Sequence, residues 1–179
     1  MAKGLFLCKR LRADIQTTIA FLTTQVREPD KDDWKKLKRL VQYLHATKIL
    51  KTILRAKEEI IIHWYIDAAY AVHADCKSQT GAAMSMGKGT IINLSTKQKL
   101  NTKSSTESEL VAVDDASYLV IWTRNFLLAQ DYSIEDNIVY QDNQSAILLE
   151  KNGIKSTGKR SKHINIQYFL SKTDMTVRN

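Results

Sequence analysis

The stretch "IIIHWYIDAAYAVHAD" constrains the fold more than any other. Six of the seven residues from Ile60 to Ile66 are apolar, most of them β-branched or aromatic. That composition suits a strand buried on both faces. Asp67 then interrupts the run and is followed by small residues. A carboxylate at the end of a core strand either finishes a turn or serves chemistry at the sheet edge.

The rest of the chain supplies partners for such a strand. "QTGAAMSM", the turn "GKG" and "TIINLSTKQ" read as two further strands joined as a hairpin. "SSTESELVAVDDASYLVIWTRNFLLAQ" reads as a helix, with Ser104 and Glu107 spaced as a capping box. A short strand, Ile138 to Gln141, runs into a helix ending at Gly153; a basic loop and a helix through "INIQYFL" follow. Three sequential strands and a helical crossover predict a mixed sheet: three antiparallel strands, then a fourth parallel to the first.

Ahead of this α/β segment the pattern is helical. Ile15, Ile19, Leu22 and Val26 recur at spacings of four, three and four. After "REPDKDDW", Trp34, Leu37, Leu40, Val41 and Leu44 mark the apolar face of a second helix, whose positive N-terminal end suits Asp30, Asp32 and Asp33. Residues 1–50 therefore read as a helical segment and 51–179 as the α/β domain.

Composition narrows the function classes. The 179 residues are 44% apolar, enough for a real core, and carry a formal charge of +8, which suits a polyanion such as nucleic acid. Cys8 and Cys76 form no CxxC or Cys/His cluster and read as free thiols of a reducing, intracellular compartment, in cytoplasm or nucleus. No segment reads as a signal peptide or approaches a membrane span. "GAAMSMGKGT" lacks the glycine spacing of a phosphate-binding loop.

Asp142 follows "IVYQ", so Asp67 and Asp142 would share one sheet edge if their strands are parallel neighbours. Glu109, in the second turn of the crossover helix, could point back at them. Three converging acids repel one another unless a cation lies between them, and oxygen-only ligands select Mg²⁺ or Mn²⁺. The same residues also have plainer readings: Asp142 before "NQSA" would make a good helix cap. Trp64, Trp122 and Phe126 are expected in the core, and Asp114 and Asp115 on the solvent side of their helix or at the edge of the site.

Two basic runs bracket the acids: Lys97, Lys99 and Lys103 ahead of Glu109, and Lys155, Lys159, Arg160 and Lys162 beyond Asp142. They read as solvated loops or as a groove tracking a nucleic-acid backbone. Asn143 and Gln144, beside Asp142, and Ser108, beside Glu109, are candidate donors to a nucleic acid. His163 is a candidate phosphate contact or a structural helix-start residue, and His63 a structural one.

"WYIDAAYAVHAD", "STKQKLNTKSSTESELVAV", "VYQDNQSAILLEKNG" and "KRSKHINIQYF" together resemble the ribonuclease H domain of copia-type retrotransposon polyproteins, and "DIQTTIAFLTTQV…DDWKKLKRLVQYLHAT" resembles the tether joining that domain to the reverse transcriptase. The resemblance implies an RNase H-like fold and Mg²⁺-dependent (or Mn²⁺-dependent) hydrolysis of the RNA strand of RNA–DNA hybrids. Asp67, Glu109 and Asp142 would be the catalytic and metal-holding acids. It also implies the polymerase and integrase parts of a parent polyprotein as partners.

The chain departs from the family's pattern. The family's fourth acid lies in an "ADxxTK"-like segment after a fifth strand, whereas this chain stops at "SKTDMTVRN". Both strand and acid are expected to be missing, with Asp174 too early to substitute. "KHIDI" reads "KHINI", with Asn165 in place of the acid. The expectation is thus a polyprotein fragment: an active ribonuclease H, or an impaired remnant keeping the fold and nucleic-acid binding.

Overall fold

The computed structural model describes residues 1–147 and 176–178. The predicted helix end at Gly153, the basic run from Lys155 through Lys159, Arg160, Lys162 and His163, the "INIQYFL" helix, Asn165 and Asp174 lie outside the described residues. The chain divides into two compact units, Met1–Leu54 and Arg55–Asn179.

The first unit is helical: α1 (Ala2–Arg10), a 3₁₀ turn Ala13–Ile15, α2 (Gln16–Thr24) and α3 (Lys31–Ala46). Helix α1 was not anticipated. Its Leu7 and Cys8 join Ile15, Ile19, Leu22, Leu37, Leu40 and Leu44 in one small core, and Gly4 leaves room for Ile19, which a Cβ there would strike. Asp30 and Asp33 form a reciprocal capping box at the start of α3. The apolar face is narrower than the sequence suggests. Val26 lies beyond α2 and is exposed, as are Trp34 and Val41. Leu37, Leu40 and Leu44 form a single i, i+3, i+7 stripe, which is all that two short helices can cover.

The second unit is a mixed α/β domain. Its strands are β1 (Arg55–Ala56), β2 (Ile60–Ala69), β3 (Gln79–Ser85), β4 (Gly87–Lys88), β5 (Ile92–Lys97), β6 (Ile134–Tyr140) and β7 (Thr176–Arg178), with helix α4 (Ser105–Leu128) between β5 and β6. The main sheet runs β5-β3-β2-β6-β7. β2, β3 and β5 are antiparallel, and β6 lies parallel to β2, with Tyr65 level with Tyr140. This is the mixed sheet expected from the resemblance, with one correction. A fifth strand is present: β7 pairs parallel to β6, Ile138 opposite Thr176 and Tyr140 opposite Arg178. Three residues are too few to carry a strand signal in the sequence, and the pairing is made by backbone groups.

The "GKG" turn also does more than reverse the chain. Gly87 and Lys88 pair with Arg55 and Ala56 as a two-stranded ribbon. Gly87 has φ 150°, and a Cβ there would run into the carbonyl of Arg55.

The core lies between one sheet face and α4. Alternate residues of β2 (Ile62, Trp64 and Ile66) meet Ala112, Val113, Ala116 and Val120 of α4, with Met84 and Val139 beside them. Each such large side chain, removed from water, contributes roughly 1.5–3 kcal/mol. Trp64 is fully buried, but Trp122 and Phe126 are exposed, against expectation. They lie four residues apart on α4, away from the Ala112–Ala116–Val120 stripe, and stack on each other with centroids 5.1 Å apart. Among the described residues no helix is long and apolar enough to cross a membrane.

Candidate metal centre

Strand β2 continues two residues past Asp67, pairing it with Gly81 of β3. The alternation that sends Ile62, Trp64 and Ile66 into the core sends His63, Tyr65 and Asp67 to the opposite face. Because Tyr65 is level with Tyr140, two further residues along each parallel strand direction bring Asp67 and Asp142 to the same level. Asp142 itself lies just past the end of β6.

Asp142 does not cap the following helix. Asn143 does: its Oδ1 accepts from the Ala146 N–H at 3.0 Å, and its carbonyl accepts from the Ile147 N–H. The turn is satisfied without Asp142, whose carboxylate remains exposed. Capping also occupies the Asn143 side-chain oxygen, while Gln144 is exposed.

Glu109 reaches the same corner from α4. Ser104 caps that helix by accepting from the Glu107 N–H, and Glu107 Oε2 accepts from the Lys103 N–H rather than from that of Ser104, so only half of the predicted box forms. Ser108 is fully buried and donates its hydroxyl to Ser105 within the helix; it is no surface donor. Glu109 is 6% exposed. Its Oε2 accepts from Gln141 Nε2 at 3.0 Å.

Asp67, Glu109 and Asp142 each offer a carboxylate oxygen within 4.8 Å of the other two. Burial pushes the Glu109 carboxyl up to about 7; the Gln141 hydrogen bond opposes that rise, and the charges of Asp67 and Asp142 add to it. The three acids could hold a metal ion. Their donors are all hard oxygens, and the burial and mutual repulsion that disfavour ionised Glu109 are what a divalent cation offsets.

The basic residues are arranged less simply. Lys97, at the end of β5, pairs with Asp75 at 2.8 Å. Lys99 and Lys103 are exposed between β5 and α4, and the charge of Lys99 acts on Asp115. Asp115 is not a solvent-side residue: its Oδ2 accepts from Thr80 Oγ1 at 2.8 Å, and burial raises its carboxyl. Thr80 in turn accepts from Gln98, a buried residue that also donates to the Ser108 carbonyl. His63 is half-buried against Tyr140. Sequence reasoning passed over Gln141 and Gln98; both sit beside marked residues, but glutamine has no patterning signal of its own.

No family model matches the chain. It is 31% identical over 158 residues to the Retrovirus-related Pol polyprotein from transposon TNT 1-94 of Nicotiana tabacum, covering 88% of this chain and 12% of that protein. It is 30% identical over 159 residues to the corresponding polyprotein from transposon RE2 of Arabidopsis thaliana, covering 88% and 11%. The chain thus spans about an eighth or less of the length of these curated relatives. Among solved structures, a foamy viral protease-reverse transcriptase dRH in complex with double-stranded DNA superposes with a TM-score of 0.55 over 99% of this chain and 30% of that one, at 15% identity. That likeness concerns the fold.

Proposed function

We propose that this chain, a homologue of one stretch of the Pol polyproteins of copia-type transposons, is a ribonuclease H domain that hydrolyses the RNA strand of RNA–DNA hybrids with Mg²⁺ or Mn²⁺. The carrying observation is the meeting of Asp67, Glu109 and Asp142, far apart in sequence, within 4.8 Å. A pair of divalent ions supplies an activated water and neutralises charge on the leaving oxygen in phosphodiester cleavage. The protein's part is to hold that charge in place. Asp67 and Asp142 present exposed carboxylates from the sheet edge, and Glu109 supplies a buried one oriented by the hydrogen bond from Gln141. Lys99 and Lys103, with Lys97 when released from Asp75, would take backbone phosphates, so recognition follows shape and charge rather than base sequence. Gln144 and the side-chain NH₂ of Asn143, both beside Asp142, are the candidates for a 2′-hydroxyl contact.

The test is a labelled RNA–DNA hybrid incubated with Mg²⁺ or Mn²⁺ and either the wild type or Asp67→Asn. Cleavage of the RNA strand that disappears in the variant supports the proposal. Hybrid binding without cleavage at saturating Mn²⁺ identifies instead an impaired domain that keeps only nucleic-acid affinity. Neither binding nor cleavage ends both readings.

A further inference from the structure

The geometry points to Gln141 as the positioning residue that fixes Glu109 for metal binding, an inference that rests on the metal-centre reading above. Gln141 is 2% exposed, and both ends of its carboxamide are engaged. Nε2 donates to Glu109 Oε2 at 3.0 Å, and Oε1 accepts from the Asn143 N–H at 3.2 Å. The two partners demand opposite polarity, so the amide can sit only one way round: a flip would set its oxygen against a carboxylate and its NH₂ against an N–H.

Two consequences follow. The hydrogen bond occupies one Glu109 oxygen and orients the carboxyl group, leaving Oε1 for a cation. The same amide ties Glu109 on α4 to the backbone immediately after Asp142. One side chain therefore sets the spacing of two of the three acids, which arrive on different elements. The Gln141 backbone N–H donates to the Arg178 carbonyl at 3.0 Å, so β7 steadies the residue from behind. Polar groups that orient ligating side chains in this manner typically account for 10–100-fold in metal affinity.

The experiment measures Mn²⁺ affinity of the full chain by calorimetry, with thermal unfolding in chelator as the check on folding. Gln141→Met keeps length and volume but removes the amide. The expected result is a folded variant whose Mn²⁺ Kd is weakened about 10-fold or more. A folded Gln141→Met with the wild-type Kd overturns the inference and leaves the metal centre standing. Wild type that binds no Mn²⁺, or binds it equally well as Asp67→Asn, removes the metal centre and this inference together. Should Gln141→Met fail to fold, NMR of the wild type decides: the Gln141 side-chain NH₂ resonances are expected to move on Mg²⁺ titration, and unmoved resonances overturn the inference.

Discussion

The ring of Tyr65 stacks on that of Tyr140, centroids 4.9 Å apart and planes 11° from parallel. Each tyrosine precedes an acid of the centre by two residues, Asp67 and Asp142. The stack thus marks on the sheet face the register that brings those acids level. His63 adds a third ring, with Nδ1 3.3 Å from the Tyr140 hydroxyl. A double-mutant cycle with Tyr65→Ala and Tyr140→Ala, read by urea unfolding, is expected to give a coupling of about 0.5–1.5 kcal/mol. Additive effects would mean that the rings merely lie near each other.

Glu109 gives the metal-free protein a pH dependence of definite sign. Its folded-state value is raised from 4.5 to about 7 by burial first and the neighbouring acids second. Below pH 4.5 the group is protonated in both states and contributes nothing. As pH rises from 4.5 to 7 the unfolded chain releases its proton first, so stability falls, by an amount on the order of 3 kcal/mol when complete. In chelator, Glu109→Gln should lose this slope and be the more stable protein above pH 7. Parallel wild-type and variant profiles would show that Glu109 titrates normally.

Ser104 caps the helix that carries Glu109. Ser104→Ala removes the acceptor for the Glu107 N–H and is expected to cost about 1 kcal/mol in chemical denaturation. A change within measurement error would mean that water satisfies the donor equally well.

Removal of residues 176–179 strips β7 from β6. Val177 packs against the core, and the Arg178 side chain pairs with Asp136 at 3.2 Å. The truncated protein should unfold at a lower temperature and self-associate, because an unpaired β6 edge is a template for another chain. A shortened protein that remains monomeric with an unchanged midpoint contradicts this.

The main elements of the α/β unit were legible in the sequence because each has its own period: the apolar run of β2, the alternation of β3 and β5, the long run of α4. The acids were legible for a different reason, since Asp67 and Asp142 interrupt or end apolar strands where a carboxylate has no packing role. Trp122, Phe126, Trp34 and Val41 misled the reading, because hydrophobicity alone does not say which side of a helix finds a neighbour. Strand β7 left no signal, as backbone pairing asks little of three side chains. The capping role of Asn143 was hidden because Asp142 and Asn143 are equally suited to it.

What the chain's residues determined unaided was the main elements of the α/β unit, their order and the three acids, since these follow from local periodicity and from carboxylates set against apolar runs. What only the tertiary structure decided was the distance between those acids and the groups that hold them. The 4.8 Å cluster depends on the parallel register of β2 and β6 and on the packing of α4. The hold on Glu109 depends on Gln141, a residue whose importance arises only when segments remote in sequence are folded into contact.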